Sequence, residues 1–563
     1  MKKNRRILAV LIAVLMCLML LAGCNNDSGG GSTTGGGTTT GGNTGGGTTS
    51  SGSGGGNTPA PVSPSFNPSV EAEPPPEEVQ QFVEHLEISV DNNPVATLDP
   101  FSTAGGNPGA LWTYIMIYDT LLNDTERGDG SFLPGLATEW TTDDFITFNF
   151  KLREGVTFHN GDKFTAKDVE YTIRLAQSER AIGTNAANRW GRVQDINIID
   201  DYNIQLVLNG VNVNFFWEVS CIGMGILNER AITEDPELGI RIGTGAFYVT
   251  GFSTMDYIEV ARNDNYWGQI PYTKSMTLRF IPEMSTRTIM LQNNEIQLAF
   301  ALSPEDLPIF QNDPDHFEIF PNFYNNPNTL TFNMEDPITG DINFRRAVAS
   351  AIDRSEIALV AAGEWGVPAD TGTVWGYATE FRLDMPVLPF DLDAAKAYLA
   401  ESSYNGEEVE IGTAIVTNVR AAEVIQQQLL KAGIKTKINQ MDPPSMSAYT
   451  AWDNNHTQLV VFLVGMGVSA SDAQRVFLPA TPWNRGMFVN DRVIELINTA
   501  PTITDYKARG DMYREIQEIV AEQLPVVNLF WLQNANVGVK GLGGLVTPPS
   551  GSFDLRYLYL PAN

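Results

Sequence analysis

Histidine, the residue best suited to hold metals and move protons near neutral pH, occurs only at His85, His159, His316 and His456. None has another histidine three or four positions away, the spacing that two ligands on one helix face require. The chain has no Gly-x-Ser-x-Gly elbow, no phosphate-cradling Gly-x4-Gly-Lys loop and no dinucleotide glycine fingerprint. Gly243-Thr244-Gly245 reads as a turn before the strand FYVTGF. The carboxylate pairs Asp143-Asp144 and Asp200-Asp201 fall in polar turns, where water solvates them and no glycosidase geometry is implied. These absences predict no catalytic residue, no metal and no cofactor. Binding makes different demands: aromatic walls and a few oriented polar groups. Trp112, Trp375, Phe477 and Trp483 are candidate walls, each with an ordinary core aromatic as its alternative. Arg382 is a candidate fork for a carboxylate, against a solvated surface arginine.

The N-terminus predicts where such binding would take place. Lys2, Lys3, Arg5 and Arg6 precede an apolar run from Ile7 to Leu21 and the small residues Ala22 and Gly23. That is the pattern of an export signal, 1–23, too short for a comfortable membrane span of about 20 apolar residues. Leu21-Ala22-Gly23-Cys24 resembles the lipobox of bacterial lipoproteins, which implies a diacylglyceryl anchor on Cys24 at the outer face of the cytoplasmic membrane. From Asn25 the chain is almost wholly Gly, Thr, Ser and Asn, and from Pro59 it turns to proline and acid; residues 24–82 read as a linker with a span on the order of 40 Å. Losing the four signal cations takes the formal charge from −30 to −34, which argues against nucleic acid as a partner. Cys17 leaves with the signal and Cys24 is lipidated, so Cys221, in the apolar stretch FFWEVSCIGMGIL, stands alone as a buried small hydrophobe, and no disulfide framework is expected.

What remains is long enough for two or three domains. LEISV from Leu86 alternates as a half-buried strand, and Ala110–Leu122 reads as a buried helix. Ile146, Phe148 and Phe150 alternate on a strand; Asn160-Gly161-Asp162 supplies a turn; Thr165 and Asp168 have capping-box spacing ahead of a helix facing inward with Val169, Ile173 and Ala176. A helix is expected from a capping Asn418 to Ala432, stopped by Gly433. Ile434, Thr436 and Ile438 then alternate as a strand, and the apolar run QLVVFLV suits a sheet covered on both faces. A further amphipathic helix is expected over Thr504–Gln523, ended by Pro525. Strands alternating with helices indicate an α/β lobe.

Spread along this region are Pro134-Gly135-Leu136-Ala137 with Trp140, Phe150-Lys151-Leu152-Arg153 with Gly155, Gly243-Thr244-Gly245-Ala246-Phe247 and Arg262-Asn263-Asp264-Asn265-Tyr266-Trp267. Phe344-Arg345-Arg346-Ala347, Ala351-Ile352-Asp353-Arg354, Ile425-Gln426-Gln427 before Gly433, and Leu524-Pro525 follow. In these blocks and their order the chain resembles the family 5 extracellular solute-binding proteins of ABC importers, the oligopeptide, dipeptide and nickel class. The resemblance implies an α/β, two-lobed periplasmic-binding-protein-like fold (type II, cluster C) with an extra small inserted domain. It implies a first lobe from 83–124, 241–328 and 531–563, an inserted domain at 125–240 and a second lobe at 329–530. It also implies a monomer that captures a peptide or peptide-like solute and hands it to an ABC permease. The turn AGGNPG, with Gly106 and Asn107, matches a place where related proteins bring backbone close to ligand, and Trp375 and Arg382 reach a comparable place from the second lobe.

The family's peptide binders carry a Gly-Trp pair, an aspartate that receives the ligand's α-amino group and a second aspartate three residues on. Here the tryptophan position falls on Met466, the amine anchor on Ser469 and the second aspartate on Asp472. A serine supplies no countercharge for a buried ammonium, which leaves open a nonpeptide solute such as an oligosaccharide or metal chelate. A surface sensor or a wall-active enzyme shares the same signal and tether.

Overall fold

The computed structural model describes residues 74–562, apart from 78, 80, 91–96, 102–107, 125–130, 183, 255, 373–374, 377–378, 453–455, 465–468, 482 and 547–552. The export signal, Cys24, most of the linker, Gly106, Asn107 and Met466 lie outside the described residues, as does the side chain of Asp472. No helix among the described residues is long and apolar enough to cross a membrane.

Two lobes share one 11-stranded sheet. In the first lobe His85–Val90 lies parallel between Ser275–Phe280 and Leu298–Ala299, and the antiparallel strands Tyr257–Arg262 and Phe247–Ser253 extend that side. In the second lobe Glu408–Thr413 lies parallel between Lys435–Gln440 and Leu459–Leu463. The two halves are joined by the long antiparallel strands Phe317–Phe332 and Val526–Val539. Their register slips between Phe323 and Pro327 and again between Asn328 and Thr329. These two irregularities interrupt the regular ladder where the chain passes between lobes.

The inserted domain is a four-stranded antiparallel sheet, in the order Ala137–Thr141, Thr147–Leu152, Asn203–Leu208, Val193–Asp200. Phe148 and Phe150 point inward from it, and Phe148 packs on Phe215 and Phe216 at 4.7 and 5.0 Å between ring centroids. The helix Ala166–Ala176 begins with the expected capping box. The Thr165 N–H donates to Asp168 at 2.9 Å, and the Thr165 hydroxyl accepts from the Lys167 N–H. It buries Val169, Ile173 and Ala176.

Three helices differ from their sequence reading. The first runs Pro108–Ile117 and stops short of Leu122, which opens the strand Leu122–Asp124. Its end is set by packing: a Cβ on Gly243 would collide with the Ile117 carbonyl, and one on Gly245 with that of Met116. Gly243-Thr244-Gly245 is thus a bend whose glycines let two backbones touch. The second helix is Val416–Ala432, two residues earlier than expected, and Asn418 does not cap it. Asn418 is buried, and its amide donates to the Asn328 side chain at 2.9 Å, pinning the helix to the interlobe strand. Gly433 closes this helix in the left-handed region at φ 95°, as expected. The last helix, Tyr506–Gln523, starts after Asp505, which accepts from the Ala508 N–H.

Candidate functional site

The motifs of the first lobe meet at one buried carboxylate. Asp119 follows the first helix and accepts hydrogen bonds from the Thr244 hydroxyl, the Tyr266 hydroxyl and the Trp267 indole, each at 2.9 Å. Arg153 lies over the Trp267 ring at 4.3 Å and donates to the Gly135 carbonyl at 3.1 Å. In the second lobe Arg345 donates to the Thr339 and Gln523 carbonyls, and Arg354 to those of Asn528 and Leu388. Burial lowers both guanidinium pKa values to about 10. These residues satisfy backbone carbonyls and hold loops to strands; they position the site.

Trp365 of the second lobe packs on the first lobe's cluster around Leu291 and Ile296, and the other contacts between the two include several polar ones. Arg420, on the long helix of the second lobe, pairs with Glu305 of the first at 2.5 Å, both half exposed. The Val213 N–H of the inserted domain donates to the Pro501 carbonyl at 3.1 Å. The loop from Thr371 to Arg382 lies against the interlobe strand. A Cβ on Gly376 would strike the Asn325 amide, and Asn325 donates to the Thr379 hydroxyl at 3.1 Å.

Glu380 is the loop's chemically active group. Burial pushes its carboxyl up to about 7, with the Asp124 carboxylate of the facing lobe adding to the rise. Arg509, the Tyr506 hydroxyl and the Ala470 N–H oppose it. The group therefore carries a charge that changes near neutrality, beside the segment where the sequence places Ser469 as the amine-anchor position. Sequence reading stopped two residues away, at Arg382. The available signal was a single acid between Thr379 and Phe381, in a loop whose other charge is Arg382.

Trp375 is fully buried, 6.0 Å from the Tyr513 ring, in a cluster that includes Ala470 and Phe477. Ser469 is also buried and shares a 2.8 Å hydroxyl contact with Ser471, whose N–H it accepts. Trp483 remains 40% exposed, its ring covered by Arg475 at 4.6 Å. With Phe477 and Arg485 it lines a small hollow of about 30 Å³. Arg485 is buried over Phe462 and donates to the Leu463 carbonyl at 3.2 Å; burial lowers it to about 10. Arg382 pairs with Asp384 at 3.1 Å. Trp112 belongs to the first lobe's core, tilted against Phe300 at 4.8 Å and edge-on to Phe553 at 5.1 Å. The structure thus gathers Trp375, Phe477, Ser469 and Trp483 in the second lobe and keeps Trp112 apart from them. Among the described residues no three His, Cys, Asp or Glu side chains are grouped to hold a metal ion.

Known proteins share this fold. The glutathione-binding protein GsiB of Escherichia coli K12 is 24% identical over 440 residues, covering 75% of this chain and 85% of that one. The ABC transporter substrate binding protein CtaP of Listeria monocytogenes superposes with a TM-score of 0.77 at 22% identity, over 86% of this chain and 100% of that one. NikZ of Campylobacter jejuni, in complex with Ni(L-His), superposes at 0.69 with 20% identity, over 85% and 97%. The model of the bacterial extracellular solute-binding proteins, family 5 middle, matches residues 131–486. Two lobes on a shared ribbon, an inserted antiparallel sheet and this match place the chain in the family 5 solute-binding proteins of ABC importers.

Proposed function

We propose that this chain is a lipid-anchored receptor that closes its lobes over a small peptide-like solute and presents it to an ABC permease. Cys24 holds it to the outer face of the membrane, and residues 24–82 are its leash. Residues 125–240 form the inserted domain and 329–530 the second lobe; the molecule acts as a monomer. Gly106, Asn107, Trp375, Arg382, Met466, Ser469, Asp472 and Trp483 face or support the ligand, and Trp112 backs the wall of the first lobe. The observation that carries this reading is Glu380, a carboxyl raised to about 7 beside Ala470 and facing Asp124 across the cleft. An acid in that position offers a ligand amine the countercharge that Ser469 lacks. Glutathione binding by GsiB is the peptide-like precedent. A nonpeptide solute is the second reading, favoured by serine at position 469 and by NikZ, whose Ni(L-His) arrives with its own ligands. A surface sensor or a wall-active enzyme is the remaining reading, and turnover of any candidate compound would favour the enzyme.

The test is to refold the purified chain free of bound solute and measure melting temperature and small-angle scattering against a panel of short peptides, glutathione, oligosaccharides and metal chelates. Stabilisation and compaction by a peptide that is recovered unchanged supports the first reading. The same response to a chelate or sugar alone selects the second, and indifference to the whole panel overturns both.

A further inference from the structure

Arg485 is a buried cation that the described chain does not answer with an acid. It is 9% exposed, its Nη1 donates to the Leu463 carbonyl at 3.2 Å, and its Nε is buried without a hydrogen-bond partner. Burial lowers its pKa to about 10 with no acid acting in the other direction, so the guanidinium stays charged at neutrality. A buried charge left in this state is costly unless a countercharge arrives. Elsewhere in the molecule the Nε–Nη2 edge of an arginine is where carboxylates sit. Arg230 offers it to Asp162 at 2.8 and 2.7 Å, Arg492 to Glu515 at 2.7 and 2.9 Å, and Arg556 to Asp554 at 3.0 and 2.7 Å. At Arg485 the other edge is held by Leu463, and this one has no described acid.

The hollow that Arg485 lines is about 30 Å³ in volume, walled by apolar side chains such as Val464, Phe477 and Phe488, with the half-exposed Trp483 at its rim. That is the share of about one water in the liquid, room for a flat carboxylate and not for a sugar or a phosphate ester. Its place in the fold connects it to the cleft. Leu463 pairs with Asn328 where the sheet passes between lobes. Val464, Phe477 and Phe488 pack in the cluster of Trp375 and Ala470, and the Ala470 N–H is the donor to Glu380.

We infer that Arg485 receives a carboxylate of the solute on its Nε–Nη2 edge, in the hollow beside Trp483. The inference rests on the peptide-like reading of the cleft and deepens it: the solute brings an amine for Glu380 and a carboxylate for Arg485, as a peptide with both ends free does. A free small carboxylate such as acetate carries the same group, and the experiment separates the two sources.

Thermal melting of the full chain, refolded free of solute and held near neutral pH, tests this with two probes. The first is a pool of short alanine peptides as free acids, against the same pool with amidated C-termini. Wild type is expected to need at least roughly tenfold more of the amides for the same stabilisation. In Arg485→Met, which keeps the side chain's length without its charge, acids and amides are expected to act alike. The second probe, acetate against chloride at equal concentration, does not depend on the cleft reading. With a dissociation constant on the order of 10 mM, acetate at about 100 mM raises the wild-type melting temperature by about 1 °C over chloride and leaves Arg485→Met unmoved. If Arg485→Met does not fold, Arg485→Lys, which keeps a charge but not the fork, takes its place. An acetate effect with indifference to the peptides keeps the site and counts against the peptide reading. Acids and amides acting alike on wild type, with no acetate effect, overturn the inference and leave that reading standing. An acid preference that survives in the Arg485 variant also overturns it, and indifference of wild type to both probes overturns the two together.

Discussion

Glu380→Gln tests the electrostatics of the cleft most directly. The carboxyl is raised from 4.5 to about 7 in the folded protein by burial, against the pull of Arg509, with Asp124 adding a smaller rise. Because the folded value lies above the unfolded one, the native state holds more protons between the two, and stability falls as pH rises through that window. Below pH 4.5 both states are protonated and nothing is lost; above pH 7 the full cost applies. At 1.36 kcal/mol per pKa unit, the destabilisation of the wild type grows from about 1 kcal/mol at pH 5 to about 3 kcal/mol at pH 8. Glutamine keeps an oxygen to accept from the Ala470 N–H and the Tyr506 hydroxyl but never ionises, so it mimics the protonated acid. The solute-free variant should therefore melt higher than wild type. With an unfolding entropy of about 2.1 cal/mol/K per residue over the folded region, the gap at pH 8 is about 3 °C, shrinking to about 1 °C at pH 5. Differential scanning fluorimetry of both proteins from pH 5 to 8 measures it. A gap that is absent at pH 8, or that does not change with pH, refutes a buried carboxyl with a raised pKa. In the presence of a cationic solute the order should reverse at pH 8, since glutamine then lacks the charge the ligand needs.

The other predictions concern the scaffold and the anchor. Asp119→Asn turns an acceptor of three hydrogen bonds into a group that also donates, setting its amide against Thr244, Tyr266 or Trp267; urea unfolding should show a loss of about 3 kcal/mol, and a loss under about 1 kcal/mol would show that the knot is not needed. A double-mutant cycle on Glu305→Ala and Arg420→Ala should give a coupling of no more than about 1 kcal/mol that vanishes near 1 M salt, where the screening length is about 3 Å. Persistence of the coupling at high salt would mean that this exposed pair is a desolvated latch. Cys24→Ser should move the mature chain from the membrane to the soluble fraction in a detergent-partition assay; retention in the membrane would remove the lipid-anchor reading.

The parts of this protein legible in its sequence are those whose chemistry is local. The Thr165–Asp168 capping box and the Gly433 stop each depend on a few neighbouring residues, and the structure forms both where spacing placed them. The family motifs were legible for a related reason. Arg153, Tyr266, Trp267, Arg345 and Arg354 hold carbonyls and one buried acid, Asp119, that the fold cannot leave unpaired, so their types are tightly constrained. Long-range choices were not legible. Asn418 looks like a cap from its neighbours alone, yet it pairs with Asn328, 90 positions away. The first helix ends where Gly243 and Gly245 press on it, more than 100 positions away along the chain. Glu380 escaped notice because its unusual character comes from burial and from Asp124 in the opposite lobe, neither of which has a local signature.

The same distribution of constraint explains why closure would depend on solute. The lobes share one ribbon whose ladder slips between Phe323 and Pro327, so rotation there disturbs little regular pairing. The described contacts between the lobes include an exposed ion pair, one backbone hydrogen bond from the inserted domain, the Gln311–Glu364 side-chain hydrogen bond, and the Glu380 and Asp124 carboxylates, whose charges oppose one another. An exposed pair contributes about 0.2–1 kcal/mol and a hydrogen bond about 1 kcal/mol net. Contacts of that size leave little to hold empty lobes together. Moving an open–closed equilibrium from even to 99% closed takes only about 2.7 kcal/mol of differential affinity. One buried charge-assisted hydrogen bond to Glu380, which neutralises the repulsion and exists only when the lobes meet, supplies much of that.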